Sequence, residues 1–590
     1  RVVDSVYDTD GRLRFRHTYN SDTSVELTSE TMYDDLGRVD RVTDPSNSYT
    51  DEDYTTNGRL SQRVIFDGVG FRTFTFGYDG HDRIKQQTAL GPPNLPTLFT
   101  LDGLDRQTRI TDPKGIATRT DFDLAGRRKT LVEDEGGALQ RQTDFTYNRL
   151  SQLITQTAQN KTSTGTPLTN QLTTYRYDSL GRPTRIVYPD APIAQHNDPS
   201  TCTDCVRQTF DLAGRMTQRI DQLALTTNFT YDDRGSLLTR TTGADRDTLG
   251  YDAVGRIILA DRGTTVGPNQ DAVSHSAMAY TDLGDLDFET QAIAEGTPRT
   301  TVYSYDQAGN RKQLTYPGGT VLAYTPTALN QVDTVNLNAA PFLNYDYQGR
   351  LLDKRRTTTT APGGTTIYEY DVGYDSHRRV NSIANRFQPG GGSLQTLAAY
   401  GFSHDANGNP LTQTVAEGMA GFVADDRAFT VDRLNRLTGT QYHENGQVES
   451  TTFDVVGNRE SHTDRAGTAT AYGTVNAANE YPTIGGTAVT YDAAGNLAVD
   501  QAGRQYSYDE LNRLKQVKNA SNTVLANYTY DALGRRITFN DPVAVTTTRY
   551  YYDGQSVIEE RNAADTRVRY HVNGSQYIDE RVATFTDASS

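Results

Sequence analysis

A six-residue unit, Tyr-Asp-x-x-Gly-Arg, recurs along this chain and constrains its fold more than any other feature. It stands intact at Tyr7 to Arg12, at Tyr33, Asp34, Gly37 and Arg38, at Tyr177, Asp178, Gly181 and Arg182, and at Tyr251, Asp252, Gly255 and Arg256. It returns at Tyr345 to Arg350 and at Tyr530, Asp531, Gly534 and Arg535, and Phe leads the unit at Phe122 and Phe210. Asn follows the Gly at Asn310, Asn458 and Asn496. With weaker copies, about two dozen cores lie between residues 7 and 552 at a mean spacing of roughly 24. Self-similarity at such a period marks a repeat architecture, in which each unit packs on its neighbours.

The unit has a physical explanation. Asp opens a type I turn because its carboxylate accepts backbone N–H groups two residues on. Gly at the fourth position takes the left-handed conformation that ends the turn in a bulged hairpin. Where Gly is missing, Asn435, Asn512, Asp82 and Asp105 replace it, and these are the side chains best tolerated at positive φ. Ser151 and Arg378 break that rule, which predicts irregular turns there.

Around the turns, apolar and polar residues alternate. Phe229 and Tyr231 precede one turn, and Leu237, Thr239 and Thr241 follow it. Segments such as Thr111 to Gly115 and Tyr316 to Gly319 supply a second turn in each period, so a period is two strands. A Tyr at one register per hairpin predicts a ladder of stacked rings along the sheet. Some 45–50 strands exceed what an open sheet sustains without curling, and strand twist has a fixed hand. Only 35% of residues are hydrophobic, too few to fill a thick core. The expected fold is all-β: tandem hairpins in one long spiralling antiparallel sheet, forming a hollow shell or tube.

These motifs resemble the RHS/YD-repeat family from about Tyr7 to Tyr552. That family includes bacterial polymorphic toxins, the C components of insecticidal toxin complexes, wall-associated bacterial proteins and the animal teneurins. The resemblance implies a shell of spiralling hairpins, which in the toxin members sequesters a C-terminal effector. It divides the chain into a repeat array over 1–548 and, over 549–590, the beginning of the family's conserved core. In the family that core runs on to an Asp-Pro-x-Gly-Leu motif where self-cleavage occurs; no such motif follows residue 549 here. Asp112-Pro113-Lys114-Gly115-Ile116 is similar to it but sits in mid-array, where it reads as a repeat turn.

Other chemistry has little support. Net charge is −16, which argues against a nucleic-acid partner. The basic residues are mostly Arg placed after the repeated Gly, and are expected to pair with nearby Asp at hairpin exits. Cys202 and Cys205 form the single cysteine pair; with His196 as the one nearby candidate ligand they lack a metal set, and a local disulfide pinning an exposed loop or two unlinked thiols are the expected states, with the disulfide favoured if the chain is secreted. No His-Glu-x-x-His, Gly-x-Ser-x-Gly or phosphate loop occurs. Catalytic, metal and cofactor residues are therefore expected to be none. No apolar run approaches bilayer length, and residues 1–30 carry no charged-then-apolar leader, so the chain reads as a segment of a longer or processed one.

The expectation is a non-enzymatic wall in a secreted or surface-bound protein. Its partner is the molecule's own C-terminal or encapsulated polypeptide. The alternative is a structural or adhesive fibre of copies stacked end to end, with cell-surface glycans as a further partner class. No nucleic acid and no membrane span enter either reading.

Overall fold

The computed structural model describes residues 2–19, 26–67, 70–198, 202–264, 272–294, 296–306, 308–327, 329–348, 351–361, 364–417, 425–575 and 580–587. Gly349 and Arg350, the end of the Tyr345 core, lie outside the described residues. Within them are 51 strands, from β1 (Val2–Tyr7) to β51 (Arg581–Thr586), and one short helix, α1 (Ile193–Asn197). A sheet of 39 strands runs from β1 to β39 (Ala469–Ala471), and a second sheet of 10 runs from β42 (Thr490–Tyr491) to β51. The ribbon is interrupted between them by a small hairpin, β40 (Thr483–Ile484) with β41 (Thr487–Ala488). Strands pair antiparallel with their neighbours in sequence.

Each repeat turn is built the same way. In β19 (Thr226–Tyr231) and β20 (Leu237–Thr242) the ladder runs regularly to Thr230 opposite Thr239, then shifts so that Tyr231 faces Leu237. The same bulge places Tyr33 opposite Val39, Tyr177 opposite Pro183, Tyr251 opposite Ile257 and Tyr530 opposite Arg536. The extra residue is absorbed by the left-handed position, where Gly37 has φ 80° and Asn435 and Asn512 each have φ 60°.

Two positions differ from the sequence reading. Ser151 and Arg378 have φ 63° and 64° and sit in turns as regular as the others. Asp375 N–H bonds Arg379 O at 2.9 Å and Asn148 N–H bonds Gln152 O at 3.0 Å. The opening side chain explains this: Asn148 Oδ1 and Asp375 Oδ1 accept the same two backbone donors as elsewhere, which fixes the turn whatever occupies its fourth position. The Tyr345 core is also displaced. Tyr347, not Tyr345, faces Leu352 across the bulge and donates its hydroxyl to Val332 O at 2.7 Å. Tyr345 is buried instead.

The ribbon is thin and wound. Its accessible surface is 30523 Å², about half as much again as the roughly 20,000 Å² of a compact protein of this mass. A single sheet with both faces open accounts for the excess. Contacts far apart in sequence give the winding. Arg378 meets Asp67, Asn407 meets Asp112, Arg433 meets Asp134 and Asn160 meets Asp454, at separations of 311, 295, 299 and 294 residues. One turn therefore takes about 300 residues, and the chain makes about two. Toward the C-terminus the separations shorten, to 246 for Glu289 with Arg535, 255 for Tyr316 with His571 and 225 for Arg355 with Glu580.

Candidate functional site

The functional element of such a chain is its wall, and three sets of residues hold the wall together. The first joins neighbouring hairpins. Asp34 Oδ1 accepts N–H bonds from Leu36 at 3.0 Å and Arg38 at 2.9 Å, while its Oδ2 accepts Arg38 Nε at 2.7 Å. This folds the guanidinium back over the turn and aims it at the next repeat, 4.3 Å from the ring centre of Tyr54. The Tyr54 hydroxyl returns a bond to Val39 O at 2.9 Å, on the strand leaving the first turn. Burial, helped by Glu52, pushes the Tyr54 phenol up to about 12, so it stays a donor.

The arrangement recurs along the ribbon. Arg12 lies 4.7 Å from the Tyr33 ring, Arg182 4.9 Å from Phe210, Arg256 4.4 Å from Tyr280 and Arg513 4.3 Å from Tyr530. Tyr33, Tyr177 and Tyr530 donate to Leu13 O, Leu153 O and Leu514 O. Arg182 Nη1 also donates to Asp211 O, the next turn's first carbonyl, at 2.8 Å. The repeat tyrosines therefore do not stack on one another; where the preceding turn ends in Arg, its guanidinium covers the ring. Each such contact contributes about 0.5–1 kcal/mol. The arginines do pair with their own aspartates, but their larger task is to couple successive repeats. The alternation of a post-Gly Arg with the following Tyr was the sequence signal for this clamp.

The turn carboxyls titrate low. Arg38's guanidinium holds the Asp34 carboxyl below its ordinary value, and the backbone N–H of Arg215 followed by its guanidinium does the same for Asp211. Burial opposes this at Asp405, but bonds from Asn409 and Lys114 prevail and hold it at about 2. Groups depressed in the folded state contribute stability that is present above their unfolded value, near 3.9, and lost as pH falls through the folded value. Stability is expected to be level from pH 7 to about 5 and to collapse between about pH 4 and 2. Far-ultraviolet circular dichroism with tyrosine fluorescence reads this directly, since the chain has no Trp. Unfolding already complete at about pH 5 would exclude the aspartate–arginine turns as its origin.

The second set joins successive turns of the spiral. The repeat turns of the second winding meet the intervening turns of the first. Lys114 Nζ lies 2.9 Å from Asp405 Oδ2, and Val455, fully buried, bonds through its N–H to Lys161 O at 2.9 Å. Asn160 donates to Asp454 Oδ2 at 3.1 Å. These contacts are ion pairs and hydrogen bonds.

The third set closes the C-terminal end. One face of β25 (Arg299–Tyr305) to β30 (Leu351–Ala361) carries Tyr303, Leu314, Leu322, Val335, Leu343 and Tyr345, all buried against Ile558 and Val572. Phe585 of β51 stacks on Tyr570 and meets Phe342 at 5.8 Å between ring centres. This last winding therefore lies against one face of the winding it packs on. Its most deeply buried charges are paired. Arg535 bonds Glu289 at 2.7 Å and Asp531 at 2.6 Å, with every one of these side chains at most 4% exposed. Glu559, wholly buried, accepts from Arg561 at 2.8 Å and from Gly318 N–H at 2.6 Å. A cavity of about 260 Å³ remains between the two layers, lined by Arg311, Tyr316, Tyr324, Asp553 and Asn573. Nothing in the sequence distinguishes Arg535 from the other repeat arginines, and Glu289 and Glu559 read as ordinary strand residues.

Cys202 and Cys205 are joined in a disulfide. They pack with Val187 and Ala191 in the insert that carries α1, and His196 there bonds Thr174 Oγ1 at 3.0 Å. Among the described residues no group of three His, Cys, Asp or Glu is placed to hold a metal ion, and no helix is long and apolar enough to cross a membrane.

No family model matches the chain. It is 32% identical over 129 residues to the tRNA3(Ser)-specific nuclease WapA of Bacillus spizizenii, and 33% over 131 residues to the tRNA nuclease WapA of Bacillus subtilis. Each match covers 21% of this chain and 5% of the relative. Among solved structures, the Tc holotoxin pore of Photorhabdus luminescens matches over 94% of this chain with a TM-score of 0.59 and 13% identity. The TcdB2–TccC3 complex without its hypervariable C-terminal region gives the same values. The chain spans 32% of the length of each of those chains. At this identity the likeness is one of fold: an RHS-type β-shell.

Proposed function

We propose that this chain, which has the fold of the RHS/YD-repeat shells, is a section of non-enzymatic container wall that holds a polypeptide in a secreted protein of that type. The observation that carries this reading is the closure of the C-terminal end. The final winding packs on one face of β25–β30 and leaves the chain's last strand against it, which supports reading that face as the inner one. A polypeptide continuing from that strand starts out inside the wall. Residues 549–590 then serve as the junction between wall and contents, in keeping with their likeness to the start of the family's core. The nuclease activity named for the two Bacillus relatives is not proposed here, because each match covers only 5% of the relative.

An end-to-end fibre requires two complementary ends. Here the last strands are folded onto β25–β30 rather than left as an open edge, which favours the container. The test is protection of an attached chain. A flexible tail with a protease site, fused after Ser590, is expected to resist cleavage that removes the same tail fused before Arg1. Equal cleavage of both would overturn the reading.

A further inference from the structure

At several points where the windings meet, an aspartate on an intervening turn of the first is answered by a donor side chain on a repeat turn of the second. Asp67 receives Arg378, Asp112 receives Asn407 Nδ2 at 2.7 Å, and Asp134 receives Arg433. At one place this pattern fails. Asp190 and Asp221 stand on successive intervening segments of the first winding, and the second winding meets them with Ala477, Ala478 and Ala494, from the turns opened by Asn476 and Asp492. A methyl group fills little of the space that an arginine fills elsewhere. A cavity of about 420 Å³ remains between the windings.

The carboxylates left there are under-bonded. Asp221 is 5% exposed; its Oδ1 accepts the Leu225 N–H at 2.9 Å, and its Oδ2 has no partner among the described residues. The turn explains why. It ends in Leu225, where a repeat turn such as that of Asp34 carries an Arg that bonds the second oxygen. Asp190 Oδ2 has only the Gln222 amide, at 3.4 Å, and its Oδ1 is shut from solvent without a hydrogen bond. Asp204 nearby holds another unbonded buried oxygen, and burial together with the Asp190 charge raises its carboxyl above the ordinary value. Arg219 also lines the cavity, yet among the described residues it makes no ion pair with these three. Buried polar atoms are nearly always bonded, so unanswered oxygens on three neighbouring carboxylates mark a missing donor.

We propose that this cavity is a binding site for a small aliphatic cation, an alkylammonium or alkylguanidinium, held by Asp221 and Asp190. The class follows from what the comparable junctions use, since Arg378 and Arg433 each bring a guanidinium to an aspartate of the first winding. Direct coordination of a metal ion is disfavoured. Among the described residues no three His, Cys, Asp or Glu groups are placed together for it, and the cavity is much larger than one ion. An ammonium or guanidinium brings its own hydrogens and needs only acceptors around it, while its alkyl part packs on the alanines. Asp221 and the alanines belong to different windings, so a bound cation joins the two as Arg378 does at Asp67. The inference goes beyond the container reading and does not depend on any cargo.

The test titrates the full chain with agmatine, which carries a guanidinium and an ammonium, by isothermal calorimetry. Salt at about 0.15 M screens the unspecific pull of the net charge of −16. One saturable site per chain is expected, with a rise in melting temperature. Asp221→Asn keeps the turn closed, as Asn148 does in its own, and should weaken binding at least about tenfold. Ala494→Arg should supply the cation from within the chain, abolishing agmatine binding and melting above the wild type without ligand. The absence of a saturable site, binding that neither substitution changes, or calcium chloride competing as tightly for the same site would each overturn the proposal. The Ala494→Arg arm reads a gain of stability, so a folding defect in the Asp221 variant leaves the test decisive.

Discussion

Replacing Arg535 by Met should destabilise the protein by about 3–5 kcal/mol, whereas Arg256→Met, at the same place in the same motif, should cost no more than about 1 kcal/mol. The two arginines make the same bond to their own turn aspartate, 2.6 Å in both cases. Their surroundings differ. Arg256 is a third exposed and loses little beyond its contact with the Tyr280 ring. Arg535 is buried between Asp531 and Glu289, on windings 246 residues apart in sequence. Removing it leaves two carboxylates in a dry interface without a counter-charge, and such a loss exceeds what the intact pair contributes. Thermal melting of both variants measures the difference. Unpaired buried carboxylates are raised above their ordinary range, so the deficit of the Arg535 variant should narrow as pH is lowered from 7 to about 5. Equal losses at the two positions would mean that Arg535 does not act between windings.

A second large effect is expected at Val572, which is wholly buried beside Ile558 and the tyrosines of β25–β30. Val572→Asp places a charge in a buried apolar cluster, at a cost of roughly 3 kcal/mol or more. The outcome should be local. The strands β42–β51 form their own sheet, joined to the longer one only through residues 472–489. They can therefore leave as a unit. Limited proteolysis of the variant should cut first within 472–489 and leave the 39-stranded ribbon resistant. Digestion spread evenly over the chain would show instead that the closing winding is needed for the whole ribbon to fold.

The turn was legible in the sequence because it is decided within six residues. Asp at the first position and Gly, Asn or Asp at the fourth satisfy local rules, and the bulged hairpin follows. Ser151 and Arg378 were misread because the fourth residue was given more authority than the first, whose carboxylate or amide does the closing. The all-β ribbon and its curling were also legible, from period-two alternation over many strands. The clamp between Arg38 and Tyr54 was not, because it depends on the register of two hairpins some twenty residues apart, and the expected stack of tyrosines gave way to alternating guanidinium and ring. Least legible were the contacts between windings. Whether Glu289 faces solvent or Arg535 depends on how many residues one revolution takes, a quantity no local motif encodes. The short α1 and its disulfide sit in an insert with no repeat signal at all.

The two kinds of junction in the wall differ in strength, and that makes the material anisotropic. Along the ribbon each strand is held to the next by a full ladder of backbone bonds and by a clamp. Between windings, outside the packed C-terminal layers, the connection is a discontinuous line of contacts at the hairpin tips, such as Lys114 with Asp405 and Asn160 with Asp454. Load applied along the spiral axis is therefore borne by the weaker line, and the molecule should extend like a coil spring, its windings parting while each stretch of sheet stays intact. A vessel made this way can open a slit and reclose without losing a single strand pairing.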